Sequence, residues 1–239
     1  PPSPWIGSRM TPAVRSVIWH AASLAERSQA HLALARAYAD ADPELELWHR
    51  AQGEEKYDDT LAADLQRAAE EARLRGAFER SADFARQSVR LAGDTAERID
   101  SLILSGQLAL HRGRPADAVR IAGERRHYEV SPEQGADLVY LEAYARFLDI
   151  GYVGTGIITR QAQEVAQADP NRAARLYLLA ARQFATRMAL TDAGRFLRFA
   201  EQYAAAFDET TSTFHRSLRA WLAAMSGEPE SAVALVDPD

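Results

Sequence analysis

The sequence has no cysteine, one lysine (Lys56) and no apolar run that approaches the ~18 residues needed to span a bilayer. Without cysteine, disulfides, thiolate metal sites and cysteine nucleophiles are all excluded. The opening Pro1-Pro2-Ser3-Pro4 has none of the character of a signal peptide. An excess of positive charge is also missing. The net charge is -6, which gives no reason to expect a polyanionic partner. What remains is 239 residues, 47% hydrophobic and 26% charged, about a fifth of them alanine, with arginine supplying all but one of the 28 basic side chains. Alanine at that level favours helix. The composition leads us to expect a cytoplasmic, acidic, helical chain that is long enough for one large domain or two small ones.

An internal period organises most of the chain. Glycines fall at 76, 113, 151 and 227, and Ala189 stands where a further one is due, so the spacings are 37, 38, 38 and 38. Eleven residues before these positions come Leu65, Leu102, Tyr140 and Leu178, with Arg216 breaking the row. Eight before come the small residues Ala68, Ser105, Ala143 and Ala181, broken at Arg219. Five after come Ser81, Ala118, Gly156, Gly194 and Ala232. The unit this describes is a helical hairpin: helix A, a turn residue free to adopt a left-handed conformation, then helix B, as in 61–75 followed by 78–91. Small residues on both sides of the turn let the helices approach, and the large residue fills the space beside them. Helix A has two apolar faces in the middle units. Leu102, Ser105 and Ala109 make one face, and Ile103, Gln107 and Leu110 the other. A helix covered on two sides is sandwiched between neighbours.

The large–small–Gly–small spacing of paired helices resembles the tetratricopeptide family over roughly residues 60–239, with a period a few residues above that family's usual 34. A HEAT or armadillo repeat would fit the period about as well, and the small residues at the turn favour the first reading. The expected fold is therefore all-α: a right-handed α-solenoid of five helix pairs, the last one short, with turns near Gly76, Gly113, Gly151, Ala189 and Gly227.

Residues 1–59 are helical but off the period. Thr11-Pro12 starts one helix, the capping box Ser23–Glu26 a second that runs to about Ala39, and Asp42-Pro43 a third that fades near Gly53. The polar stretch 53–59 marks the expected boundary before the repeats. Thr11-Pro12-Ala13-Val14-Arg15-Ser16-Val17-Ile18-Trp19, residues 21–27, His31-Leu32-Ala33-Leu34-Ala35 and Trp48-His49 are similar to a segment of the large ATP-binding LuxR-type (MalT-like) regulators of actinobacteria. Residues 66–77 look like the first repeat of that family, which usually has His-Pro where this chain has Thr11-Pro12. The resemblance implies that 1–59 is the end of an ATPase module and 60–239 a sensor or interaction region that binds a partner protein or a small effector. ATP would bind only in an upstream domain, and a helix-turn-helix DNA reader would follow. These residues contain no Gly-x-x-x-x-Gly-Lys-Ser/Thr loop and no helix with clustered basic residues, so the segment itself is expected to bind neither ATP nor nucleic acid, and to need no membrane. The absence of an initiating Met, the short last helix and its apolar 232–236 edge (Ala232, Val233, Leu235, Val236) suggest a piece of a longer chain, with a homodimer through a solenoid end or a frayed C-terminus as the consequence. The alternative is a stand-alone tetratricopeptide scaffold unrelated to transcription.

Candidate chemistry is sparse. Gly151-Tyr152-Val153-Gly154-Thr155-Gly156 has the look of a phosphate loop, but no strand precedes it and two of its glycines serve the repeat. Asp40, Asp42 and Glu44 alternate like metal ligands, yet Asp42-Pro43 reads as a helix start. The six histidines show no close metal-ligand spacing. Arg125-Arg126-His127 suits a helix C-terminus. No catalytic constellation emerges, and an enzyme is not expected. A docking surface is more promising. Steps of four and three along helix A keep residues ten, six and three before each turn on one face. The ten-before row is Gln66, Ile103, Leu141, Leu179 and Ser217, and the six-before row is Glu70, Gln107, Ala145, Gln183 and Trp221. Gln107 and Gln183 sit among apolar neighbours, where an unsatisfied amide is costly. They either bond adjacent helices or flank a groove with Arg73 and Trp221 at its two ends.

Overall fold

The computed structural model describes residues 11–236. The proline-rich start, the last three residues, and the side chains of 12, 14, 15, 95 and 236 lie outside that description. Three helices come first: α1 (Pro12–Ala21), α2 (Leu24–Tyr38) and α3 (Pro43–Gly53). Five pairs follow: α4 (Asp59–Leu74) with α5 (Phe78–Leu91), α6 (Thr95–His111) with α7 (Pro115–Gly123), α8 (Pro132–Ile150) with α9 (Thr155–Val165), α10 (Pro170–Ala185) with α11 (Leu190–Glu201), and α12 (Glu209–Met225) with α13 (Pro229–Val236). Two short 3-10 turns, Glu124–His127 and Ala204–Ala206, complete the elements, and the described residues contain no strand.

Local chemistry explains the helix starts. Ser23 and Glu26 form the reciprocal capping box that opens α2, and the Asp42 side chain accepts the N–H groups of Glu44 and Leu45 ahead of Pro43. The first helix of every pair is capped the same way, by Asp58, Asp94, Ser131, Asp169 and Asp208, at spacings of 36, 37, 38 and 39 residues. The helix ends follow a second rule. Gly76, Gly113 and Gly227 take φ of 76°, 68° and 84°, and the next residue's N–H returns to a carbonyl five positions back, as from Ala77 to Ala72. This is the left-handed stop that glycine makes cheaply. In the fourth pair that residue is Met188 (φ 60°), not Ala189, and Ala189 N–H bonds the carbonyl of Phe184. Moving the register to Met188 puts the fully buried Ala193 at the small position after the turn. The third pair differs again. Gly151, left-handed at φ 77°, opens a four-residue loop, Gly156 is exposed and Ile158 fills the interior. There the small residue serves no close approach.

Each helix packs on the next from α4 to α13, and α4, α6, α8, α10 and α12 also touch one another in series. Side chains that bridge this row keep a nearly constant offset. Ser101 reaches Gln66 (3.4 Å), Gln134 reaches Asp100 (2.8 Å), Arg172 reaches Asp137 (3.1 Å) and Asn171 reaches Asp208 (2.8 Å), at separations of 35, 34, 35 and 37 residues. The core is built as three successive apolar clusters. Leu65 and Phe84 centre the first, Ile99 and Leu138 the second, and Leu176 and Phe196 the third. Helix α3 belongs to the first cluster through Ala51 and Trp48, whose ring lies edge-on to Phe84 at 6.3 Å. The polar stretch after α3 is held down, since Arg90 donates to the carbonyls of Ala51 and Glu54.

Candidate functional site

Tyr140, Tyr144 and Phe147 project from one stripe of α8, and Arg172, Arg175 and Arg182 from the facing stripe of α10. The two helices align at an offset of 35, which sets these stripes opposite each other. Arg172 Nε meets both oxygens of Asp137 at 3.1 Å, and its other end pairs with the N-cap Asp169. The Arg175 guanidinium lies 4.9 Å from the centre of the Tyr140 ring. Arg182 lies 5.4 Å from both Tyr144 and Phe147, and 6.0 Å from Phe214 of α12. Cations on ring faces gain electrostatically from the ring quadrupole, more so when partly desolvated. Burial pushes the carboxyl of Asp137 above its ordinary range against the pull of Arg172, and burial likewise raises Tyr140.

Between α6 and these stripes lies a cavity of about 320 Å³. Its walls come only from α6, α8 and α10, the first helices of their pairs. Leu110, Leu141 and Leu148 supply apolar wall. Tyr140 and Tyr144 supply aromatic wall, and Gln107, His111, Asp137 and Arg175 the polar groups. Gly106 lets α6 lie close to Leu141 of α8, because a Cβ there would collide with that side chain. The His111 ring stacks on Phe78 at 5.3 Å, only 6° from parallel. A concave, largely apolar site with a few convergent polar groups suits the binding of a ligand or segment.

The structure divides the residues expected to share a groove. Gln107 and Leu141 line this cavity. Ile103 and Leu179 are buried in the core clusters. Gln183 is fully buried: its Oε1 accepts the N–H of Val153 at 2.8 Å, and its Nε2 has no partner. It therefore ties α10 to the α8–α9 loop and does not face a groove. Gln66 accepts from Ser101. Glu70 and Arg73 bond each other along α4, which lowers the Glu70 carboxyl and raises the Arg73 guanidinium. Trp221 is 36% exposed on α12, outside the cavity wall. Sequence reasoning missed Asp137, Arg172, Arg175 and Tyr144. The signal was there, in that 137, 140 and 147 each meet an arginine 35 residues on.

The other candidates resolve simply. Asp42 is a cap, and Glu44 pairs with Arg75 and Arg80. Arg125 pairs with Glu142 of α8 at 3.2 Å. The histidines held one surprise. His31 Nδ1 lies 2.9 Å from His49 Nδ1, eighteen residues apart in sequence, with Trp19 edge-on to His31 and Tyr38 stacked on His49. Burial and the neighbouring imidazole together hold His31 below its ordinary value. Among the described residues no three His, Asp or Glu side chains are grouped to hold a metal, and no helix is long and apolar enough to cross a membrane. No family model, curated protein or solved structure matches the chain.

Proposed function

We propose that this chain is a non-catalytic sensor or protein-interaction segment of a cytoplasmic LuxR-type transcriptional regulator, built as a right-handed, tetratricopeptide-like solenoid. The observation that carries the reading is the cavity walled only by α6, α8 and α10. A row of first helices in series, held at a nearly constant offset, makes one continuous surface along which a partner segment or small effector can lie. The left-handed stop shared by Gly76, Gly113, Met188 and Gly227 supports a common hairpin unit.

On this reading the segment contacts neither ATP nor DNA. It carries the state of its groove to neighbouring modules by a population shift between two arrangements of the repeats. Reading the gene outward from residues 1 and 239 tests the regulator assignment. A phosphate loop upstream and a helix-turn-helix downstream are expected. If both are missing, the assignment fails and a stand-alone scaffold takes its place.

A further inference from the structure

Helix α6 has a second working face. Its Gln107–Leu110–His111 side borders the groove described above, and its Leu102–Ser105–Ala109 side forms part of another cavity of about 370 Å³, between α5 and α7. Local sequence explains the space. Helix α7 has only nine residues and gives way at Gly123 to a 3-10 turn, whereas α5 has fourteen. The cavity wall uses the small side chains of Ala82, Ser105 and Ala109 where larger ones would have filled it.

Ser105 is the telling residue. Its hydroxyl is buried and has no hydrogen-bond partner. The nearby serine hydroxyls are all satisfied: Ser81 donates to the Ala69 carbonyl, Ser88 to that of Ala62, and Ser88 and Ser101 bond each other. A buried hydroxyl left alone is a net cost to folding, which a ligand atom would relieve. Charge supplies the second, independent observation. The wall carries Arg86, Arg112, Arg114 and Arg120, paired in that order with Asp83, Glu79, Asp117 and Glu124, of which only the last two belong to the wall, in a chain whose net charge is -6. Arg112 has the most buried side chain of the four, 21% exposed, yet its carboxylate partner Glu79 is 78% exposed. Ion pairs with so solvated a partner are weak and readily exchanged.

We infer that this cavity is a binding site for a small amphipathic anion. Its apolar body would lie over Leu102 and Ile121, its anionic head would meet the arginine rim led by Arg112, and a polar atom would reach Ser105. The guanidinium fork suits a planar carboxylate.

Calorimetric titration of the protein with octanoate, and with the uncharged octanamide, tests the site. Octanoate should saturate a single site at least about tenfold more tightly than octanamide and weaken as salt is added. Arg112→Gln should cost octanoate about tenfold and leave octanamide unchanged, and Ser105→Leu should abolish both by filling the floor. If Ser105→Leu does not fold, Ser105→Ala carries the test. Its melting temperature should rise without ligand, and its gain on adding octanoate should shrink relative to the parent. The inference is overturned by equal affinity for the two probes, by undiminished binding to Ser105→Leu, by an equal octanoate gain in Ser105→Ala, or by loss of binding in Arg175→Gln in place of Arg112→Gln.

Discussion

Gln183 Oε1 accepts the backbone N–H of Val153 at 2.8 Å, so one fully buried side chain on α10 closes the loop that joins α8 to α9. That loop is the one pair connection where the residue after the left-handed position donates no N–H to a carbonyl five residues back, and the glutamine supplies the missing restraint. Removing the amide leaves the Val153 N–H without its partner. Gln183→Leu should therefore destabilise the protein by about 1–3 kcal/mol. Gln107 is exposed, and Gln107→Leu should stay within about 0.5 kcal/mol of the parent. Urea unfolding of the two single variants checks this. Equal, negligible effects would mean that Gln183 does not hold the loop.

Met188 occupies a left-handed position that glycine fills in the other turns, and its side chain is 53% exposed, so it loses little when removed. A non-glycine residue in that region costs about 1–2 kcal/mol. Met188→Gly should stabilise by up to about 1 kcal/mol, after the extra chain entropy of glycine is deducted. Gly113→Ala should destabilise by about 1 kcal/mol, since a Cβ there meets nothing and only the φ of 68° is strained. Thermal melts of both variants decide the matter. A destabilised Met188→Gly would contradict the backbone account.

The all-helical character was legible in the sequence, and so were the turns at Gly76, Gly113, Gly151 and Gly227, because glycine stops are local signals. The one-residue error at Ala189 arose because Met188 gives no compositional sign of a left-handed backbone. A stronger local signal went unused: the caps Asp58, Asp94, Ser131, Asp169 and Asp208 mark each first helix independently of the turns. The site was less legible. Helical spacing put Gln107 and Gln183 in equivalent positions, but the long α8–α9 loop folds over one and leaves the other open. The meeting of His31 with His49 depends on how α2 packs on α3, which no spacing rule conveys.

That histidine pair sets a pH dependence. The Nδ1 atoms of His31 and His49 face each other at 2.9 Å, and burial first, then the neighbouring imidazole, disfavours a charge on His31. His31 is held below its ordinary value of 6.5, so the unfolded chain takes up its proton more readily than the folded one. The associated stability is complete above 6.5 and is lost as the pH falls through the depressed value. The melting temperature should drop between about pH 7.5 and about pH 5.5, and His31→Phe should flatten that slope. Glu26, Asp59 and Asp208, lowered by hydrogen bonds, lose their stabilising contribution only in more acidic solution. An unchanged slope in His31→Phe would remove the pair as the cause.

The proposed regulatory role of the α6–α8–α10 groove is tested most directly with a transcriptional reporter for the intact gene product, with Tyr144→Ala and Arg175→Gln introduced together. The account predicts at least about a tenfold loss of effector-dependent output, with the protein still folded and present at parental abundance. Full effector response per folded molecule in the double variant would contradict it.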